Sequence, residues 1–166
     1  MPVRSKWRNA ILVGALGLVA VATSGCAQQE QIQFSSQLTS IERVLNQVGP
    51  ETEKTYGWNR FTGTTTIAGQ PAEVEMLGSV DYKSGDGEFF GFITVVAADG
   101  SQLGIRMDGQ AKLNTSTNDT RFDAELEVIG GTGKWANASG KGEFTGNRRG
   151  ALGSPVEMSV GLEVKE

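Results

Sequence analysis

The stretch VIGGTGKWANASGKGEFTG, residues 128–146, holds the strongest chemical suggestion in the chain. Gly131, Gly133 and Ala136 stand in G-x-G-x-x-A spacing. In a dinucleotide site that spacing lets the backbone approach a pyrophosphate at the N-terminus of a helix. The helix is the part missing here. Asn137, Ser139, Gly140 and Gly142 follow almost at once, and all are poor helix formers. The preceding RFDAELEV alternates charged and apolar residues, whereas a central parallel strand is apolar on both faces. A Walker-type loop needs a glycine five residues before its Gly-Lys pair and Ser or Thr after it. Gly133-Lys134 has Val128 and Trp135 there, and Gly140-Lys141 has Trp135 and Gly142. Nucleotide binding is therefore not expected, and neither is any cofactor.

Other catalytic constellations are hard to assemble. The chain has no histidine, which removes Ser-His-Asp and Cys-His systems and histidine metal sites. Carboxylates are plentiful, but Glu73, Glu75, Asp123, Glu125 and Glu127 alternate with apolar residues. That pattern is a solvated strand face more readily than an acid–base pair. DGSQLGIRMDG lacks the dense oxygen ligands of a calcium loop. No metal site is expected.

The first 25 residues have a different task. Arg4, Lys6 and Arg8 precede an apolar run from Ala10 to Ala22, and TSGC follows. A basic start, a short apolar stretch and small residues form an export signal; the run falls short of the roughly 20 residues of a spanning helix. Cys26 is the lone cysteine. SGC followed by Ala27 is similar to a bacterial lipobox, whose cysteine is acylated and holds the protein at a membrane surface. Thr23 stands where lipoboxes carry an aliphatic residue, so cleavage near Ser24 and release as a secreted protein is the alternative. The expectation is a signal over 1–25, a polar tether over 26–30 and one domain over 31–166, lipid-anchored on the extracytoplasmic side of a bacterial membrane. Without Arg4, Lys6 and Arg8 the 15 Lys/Arg against 19 Asp/Glu become 12 against 19, a net of −7. Nucleic acid requires a cationic footprint and is not an expected partner.

The elements that would position any site are strands. AEVEMLGSVDY, LGIRMDGQAKL, RFDAELEV and PVEMSVGLEVK each alternate apolar and polar residues, giving one dry and one wet face. GFITVVAA is apolar on both sides. Asp86-Gly87 and Asp99-Gly100 read as turn dipeptides between such runs. Residues 31–48 carry two signals. Ile32, Phe34 and Leu38 suggest a strand; Thr39 and Glu42 have capping-box spacing, and Ile41, Val44, Leu45 and Val48 form a helical stripe. The reading is a strand with a helical turn after it. Seven or eight half-buried antiparallel strands with no long helix close into an up-and-down barrel, which removes sheet edges. The fold class is therefore all-β.

GEFFGFITVVAADGSQLGIRMDGQA, a strand block and then VIGGTGKWANASGKGEFTG together resemble the allene oxide cyclase and dirigent superfamily over roughly residues 55–165. In that superfamily a Gly-Gly-Thr-Gly-Lys/Arg-aromatic turn links two late strands; here Trp135 replaces the usual Phe or Tyr. The resemblance implies an eight-stranded antiparallel barrel with an apolar interior. It makes Gly130, Gly131 and Gly133 a structural turn, with Trp135 covering one barrel end. The superfamily's chemistry spans ring closure in a fatty-acid-derived epoxide, steering of radical coupling and cyclisation in polyketide assembly. Each depends on polar residues inside the barrel, and no such set matches here.

Met76, Tyr82, Phe92, Met107, Phe122 and Met158 are the candidate lining of an apolar pocket; the alternative is that they fill the barrel. Trp58 and Tyr56 are candidate markers of its mouth. The leading expectation is a non-enzymatic barrel at the cell envelope that binds a small hydrophobic molecule. A cyclase or isomerase using the cavity is the alternative, and a structural protein that self-associates as a homo-oligomer is the third.

Overall fold

A computed structural model describes residues 29–50 and 53–165. The expected signal and Cys26 lie outside the described residues. Eight antiparallel strands follow in order: β1 (Gln29–Gln47), β2 (Lys54–Ile67), β3 (Gln70–Lys83), β4 (Asp86–Ala97), β5 (Gln102–Asn114), β6 (Asp119–Gly131), β7 (Ser139–Arg148) and β8 (Val156–Lys165). Each pairs with the next and β8 pairs with β1, closing the barrel. Among the described residues the one helical element is a 3₁₀ turn, Gly133–Trp135.

The alternation in sequence becomes the wall. Val74 and Met76 of β3, Ile105 and Met107 of β5, Leu126 and Val128 of β6, and Val160 and Leu162 of β8 are buried inside. The intervening residues face water; Glu73, Asp108, Asp123 and Glu125 are all exposed. A lipid-facing barrel reverses this arrangement.

Three local expectations are corrected. The helical turn after Leu38 is absent: β1 runs on to Gln47, held by β2 from Thr39↔Thr62 to Gln47↔Thr55. Pairing with β2 satisfies the backbone that the capping box would otherwise have served, and Ile41, Val44 and Val48 of the helical stripe are exposed. A bulge between Ser40 and Glu42 shifts the alternation, as bulges do. Second, β1 starts at Gln29, so Gln29 and Glu30 of the expected tether pair with Lys165 and Val164. Third, the β3–β4 turn is Ser84-Gly85, both at positive φ (52° and 87°), which suits the twist of a two-residue hairpin. Asp86 instead opens β4 opposite Lys83. Its carboxylate accepts the Leu113 N–H at 2.6 Å and pairs with Lys112.

The two barrel ends differ. One carries the β2–β3 and β4–β5 hairpins and the loop 132–138. There Ile67, Val95, Leu103, Val164 and Trp135 are almost fully buried. The other carries the β3–β4 and β5–β6 turns and the loop 149–155. It is the end that opens inward.

Candidate functional site

The glycine loop seals the first end. Trp135 is 2% exposed and belongs to the core. Backbone amides that a phosphate would need are already used: Thr132 N–H donates to the Gln102 carbonyl at 2.8 Å and Trp135 N–H to the Thr132 carbonyl at 3.1 Å. Lys134 N–H donates to Ser101 Oγ at 3.1 Å and Ala136 N–H to the Gly133 carbonyl at 3.2 Å. Gly133 sits at φ +59°, and a Cβ there would collide with Ser101. Lys134 Nζ lies 4.4 Å from the centre of the Trp135 ring and 3.9 Å from Asp99. Gly130 takes φ +142° and Gly131 lies against Trp135. The loop closes the barrel and offers no cradle.

The opposite end holds a cavity of about 60 Å3. That is several times the ~10–15 Å3 needed to hold one water, and it admits one small ring. Met76, Val80, Phe89, Met107, Phe122 and Phe144 form most of its wall. Phe89 meets Phe122 and Phe144 edge-on, with centroids 5.9 and 6.3 Å apart. Gly78 also faces in, where a Cβ would meet only Met107 Cε at 3.7 Å.

Polar groups gather on the mouth side of this apolar wall. Tyr82, from β3, is half-buried, and burial pushes its hydroxyl well above the ordinary tyrosine range despite the nearby Arg148 charge; it stays neutral. Arg148, at the end of β7, donates from Nη2 to Thr120 Oγ1 at 2.6 Å. Its Nε is buried without an acceptor. Burial lowers its affinity for the proton; Tyr82 opposes this in part, and the like charge of Arg43 adds the smallest push, in the same direction as burial. Asn59 Oδ1 is buried and unpartnered too. Arg43 lies against the loop 149–155, close enough that a side chain on Gly153 would meet its Nη1 at 3.2 Å.

Of the expected lining, Met76, Tyr82, Met107 and Phe122 face this cavity. Met158 is buried but stands elsewhere in the wall. Phe92 is a correction: it is 39% exposed on the outer face, 5.2 Å from Phe90, over which Arg106 stacks. Phe89 and Gly91 take the inner positions of β4, a parity the doubly apolar sequence did not declare. Tyr56 and Trp58 are likewise outside, while Asn59 and Phe61 face in. Arg43, Asn59 and Arg148 escaped the sequence reading. Arg148 continues the inward alternation of Phe144 and Gly146, so its position was legible; Arg43, itself exposed, is turned toward the cavity mouth by the β1 bulge.

The fold and site define an eight-stranded antiparallel barrel, plugged at one end, with an apolar cavity and a cationic rim at the other. A solved structure of a pterocarpan synthase dirigent protein is similar, with a TM-score of 0.55 over 84% of this chain and 85% of that one at 10% identity. The chain therefore has a dirigent-like barrel fold. No family model and no curated protein matches it.

Proposed function

We propose that this protein is an exported, lipid-anchored barrel that binds a small, largely apolar molecule in its one-ended cavity. The observation that carries this reading is the pairing of an apolar void with buried polar atoms that have no partner, Asn59 Oδ1 and Arg148 Nε. Buried polar groups are nearly always satisfied, and a space filled only for packing needs neither. A ligand supplies the apolar fill, and an acceptor atom on it supplies the partner that Arg148 Nε lacks. Native mass spectrometry of the protein after exposure to a cell extract tests this. A retained small molecule supports it, and a consistently empty barrel contradicts it.

The anchor rests on SGC before Ala27 with Cys26 as the lone cysteine. Radiolabelled palmitate enters the protein and is lost in Cys26→Ser; label that persists in the variant overturns the anchor.

A second reading, a cyclase or isomerase, is favoured by one observation: the neutral Tyr82 hydroxyl faces the same cavity beside Arg148. A confined substrate needs little more than orientation and one hydrogen-bond donor. On this reading Tyr82→Phe keeps ligand binding and loses turnover.

A further inference from the structure

The chain is acidic overall, and its outer face carries Asp108, Asp123, Glu125 and Glu143 along one groove. The cavity reverses that sign. Arg43 and Arg148 line it, and no Asp or Glu among the described residues does. The arginines elsewhere behave differently. Arg60 pairs with Glu75, Arg106 with Asp108, Arg121 with Asp123 and Arg149 with Glu157. Among the described residues, the two arginines that reach the cavity are the two with no carboxylate within 4 Å.

A half-buried guanidinium without a counter-ion is costly, because desolvation is not offset by an opposite charge. Arg148 is nevertheless fixed in place. Thr120, 1% exposed, accepts from Nη2, which leaves Nε with no acceptor. A guanidinium presents adjacent N–H groups in a rigid fork that fits a carboxylate. Arg43, from β1, adds a second charge at the same mouth, one strand removed from β7. Below them the wall is aromatic and methionine-rich, and the free volume suits one ring.

We propose that the cavity is a receptor for a single-ring carboxylate, with Arg148 and Arg43 receiving the carboxylate and Met76, Met107, Phe89 and Phe122 enclosing the ring. The inference rests on the ligand-binding reading above and adds the chemical class. The anion supplies the missing counter-charge, and the ring supplies the missing packing. Neither half suffices alone: an inorganic anion leaves the void unfilled, and a neutral ring leaves the half-buried Arg148 guanidinium uncompensated.

Isothermal titration calorimetry with 3-phenylpropanoate and its neutral counterpart 3-phenylpropan-1-ol separates these terms. A charge-assisted contact predicts that the carboxylate binds about 10- to 100-fold more tightly than the alcohol. Arg148→Met abolishes most of that preference and leaves the alcohol's affinity unchanged or improved. Arg43→Met, at a more exposed position, reduces it and serves as the second variant should the first not fold. Inorganic phosphate at the same concentration gives no comparable heat. Equal affinity for carboxylate and alcohol in the unaltered protein overturns the assignment of class while leaving ligand binding intact. So does a preference that survives both substitutions. Binding of neither compound overturns the single-ring carboxylate; an empty barrel by native mass spectrometry then removes the ligand-binding reading as well.

Discussion

Replacing Trp135 by alanine tests whether the glycine loop is a plug. The indole is 2% exposed and packed into the core at the closed end. Truncating a buried tryptophan costs about 3–5 kcal/mol, from lost transfer energy and the cavity left behind. In a domain of this size each kcal/mol shifts Tm by about 2–4 °C, so the melting point should fall by about 6–20 °C. Lys134→Gln is the control. It removes the cation stacked at 4.4 Å and should cost only about 0.5–1 kcal/mol. Calorimetric melts at pH 7 of the three proteins measure the difference. A loss for Trp135→Ala no larger than that for Lys134→Gln would refute the plug, because a cradle or surface turn has no use for a buried indole.

Gly78→Leu should fill the cavity, since only Met107 Cε lies within 4 Å of the new Cβ. Added burial and the loss of a flexible glycine should hold or raise stability by about 1–2 kcal/mol, while calorimetric ligand binding disappears; unchanged binding would place the ligand elsewhere. The Asp86 carboxyl is held below the usual carboxylate range by its hydrogen bond to Lys112 and by the Leu113 N–H. A depressed folded pKa contributes stability above the unfolded value of about 4 and loses it as pH falls through the folded one. The stability gap between the unaltered protein and Asp86→Asn, read from urea melts, should therefore be full at pH 6 and close towards pH 3. A gap independent of pH would show that the charge contributes nothing.

Where a strand has one wet face, its inner residues could be read in advance. Met76 and Tyr82 on β3, Met107 on β5 and Phe122 on β6 follow directly from alternation, and all four reach the cavity. Phe92 failed because both faces of β4 are apolar, so nothing local distinguished Phe89 and Gly91 from Phe90 and Phe92. Residues 39–47 failed because capping-box spacing and a helical stripe are local signals, and pairing along β2 overrode them. The Asp86-Gly87 dipeptide was displaced by Ser84-Gly85, whose positive φ values close the hairpin. The cationic rim was half legible. Arg148 shares the parity of Phe144, but an arginine at a strand end reads first as a solvated charge. Arg43 required the bulge, which alternation alone does not reveal.

Methyl-labelled methionine offers the most direct test of the one-ended cavity. Met76 and Met107 line it, whereas Met158 is buried in another part of the wall. Titrating 3-phenylpropanoate into protein carrying ¹³C-methyl methionine should shift the Met76 and Met107 signals strongly, through the ring's local field, and leave Met158 nearly still. Signals that do not move at saturating ligand, or a Met158 shift larger than both, would contradict the account.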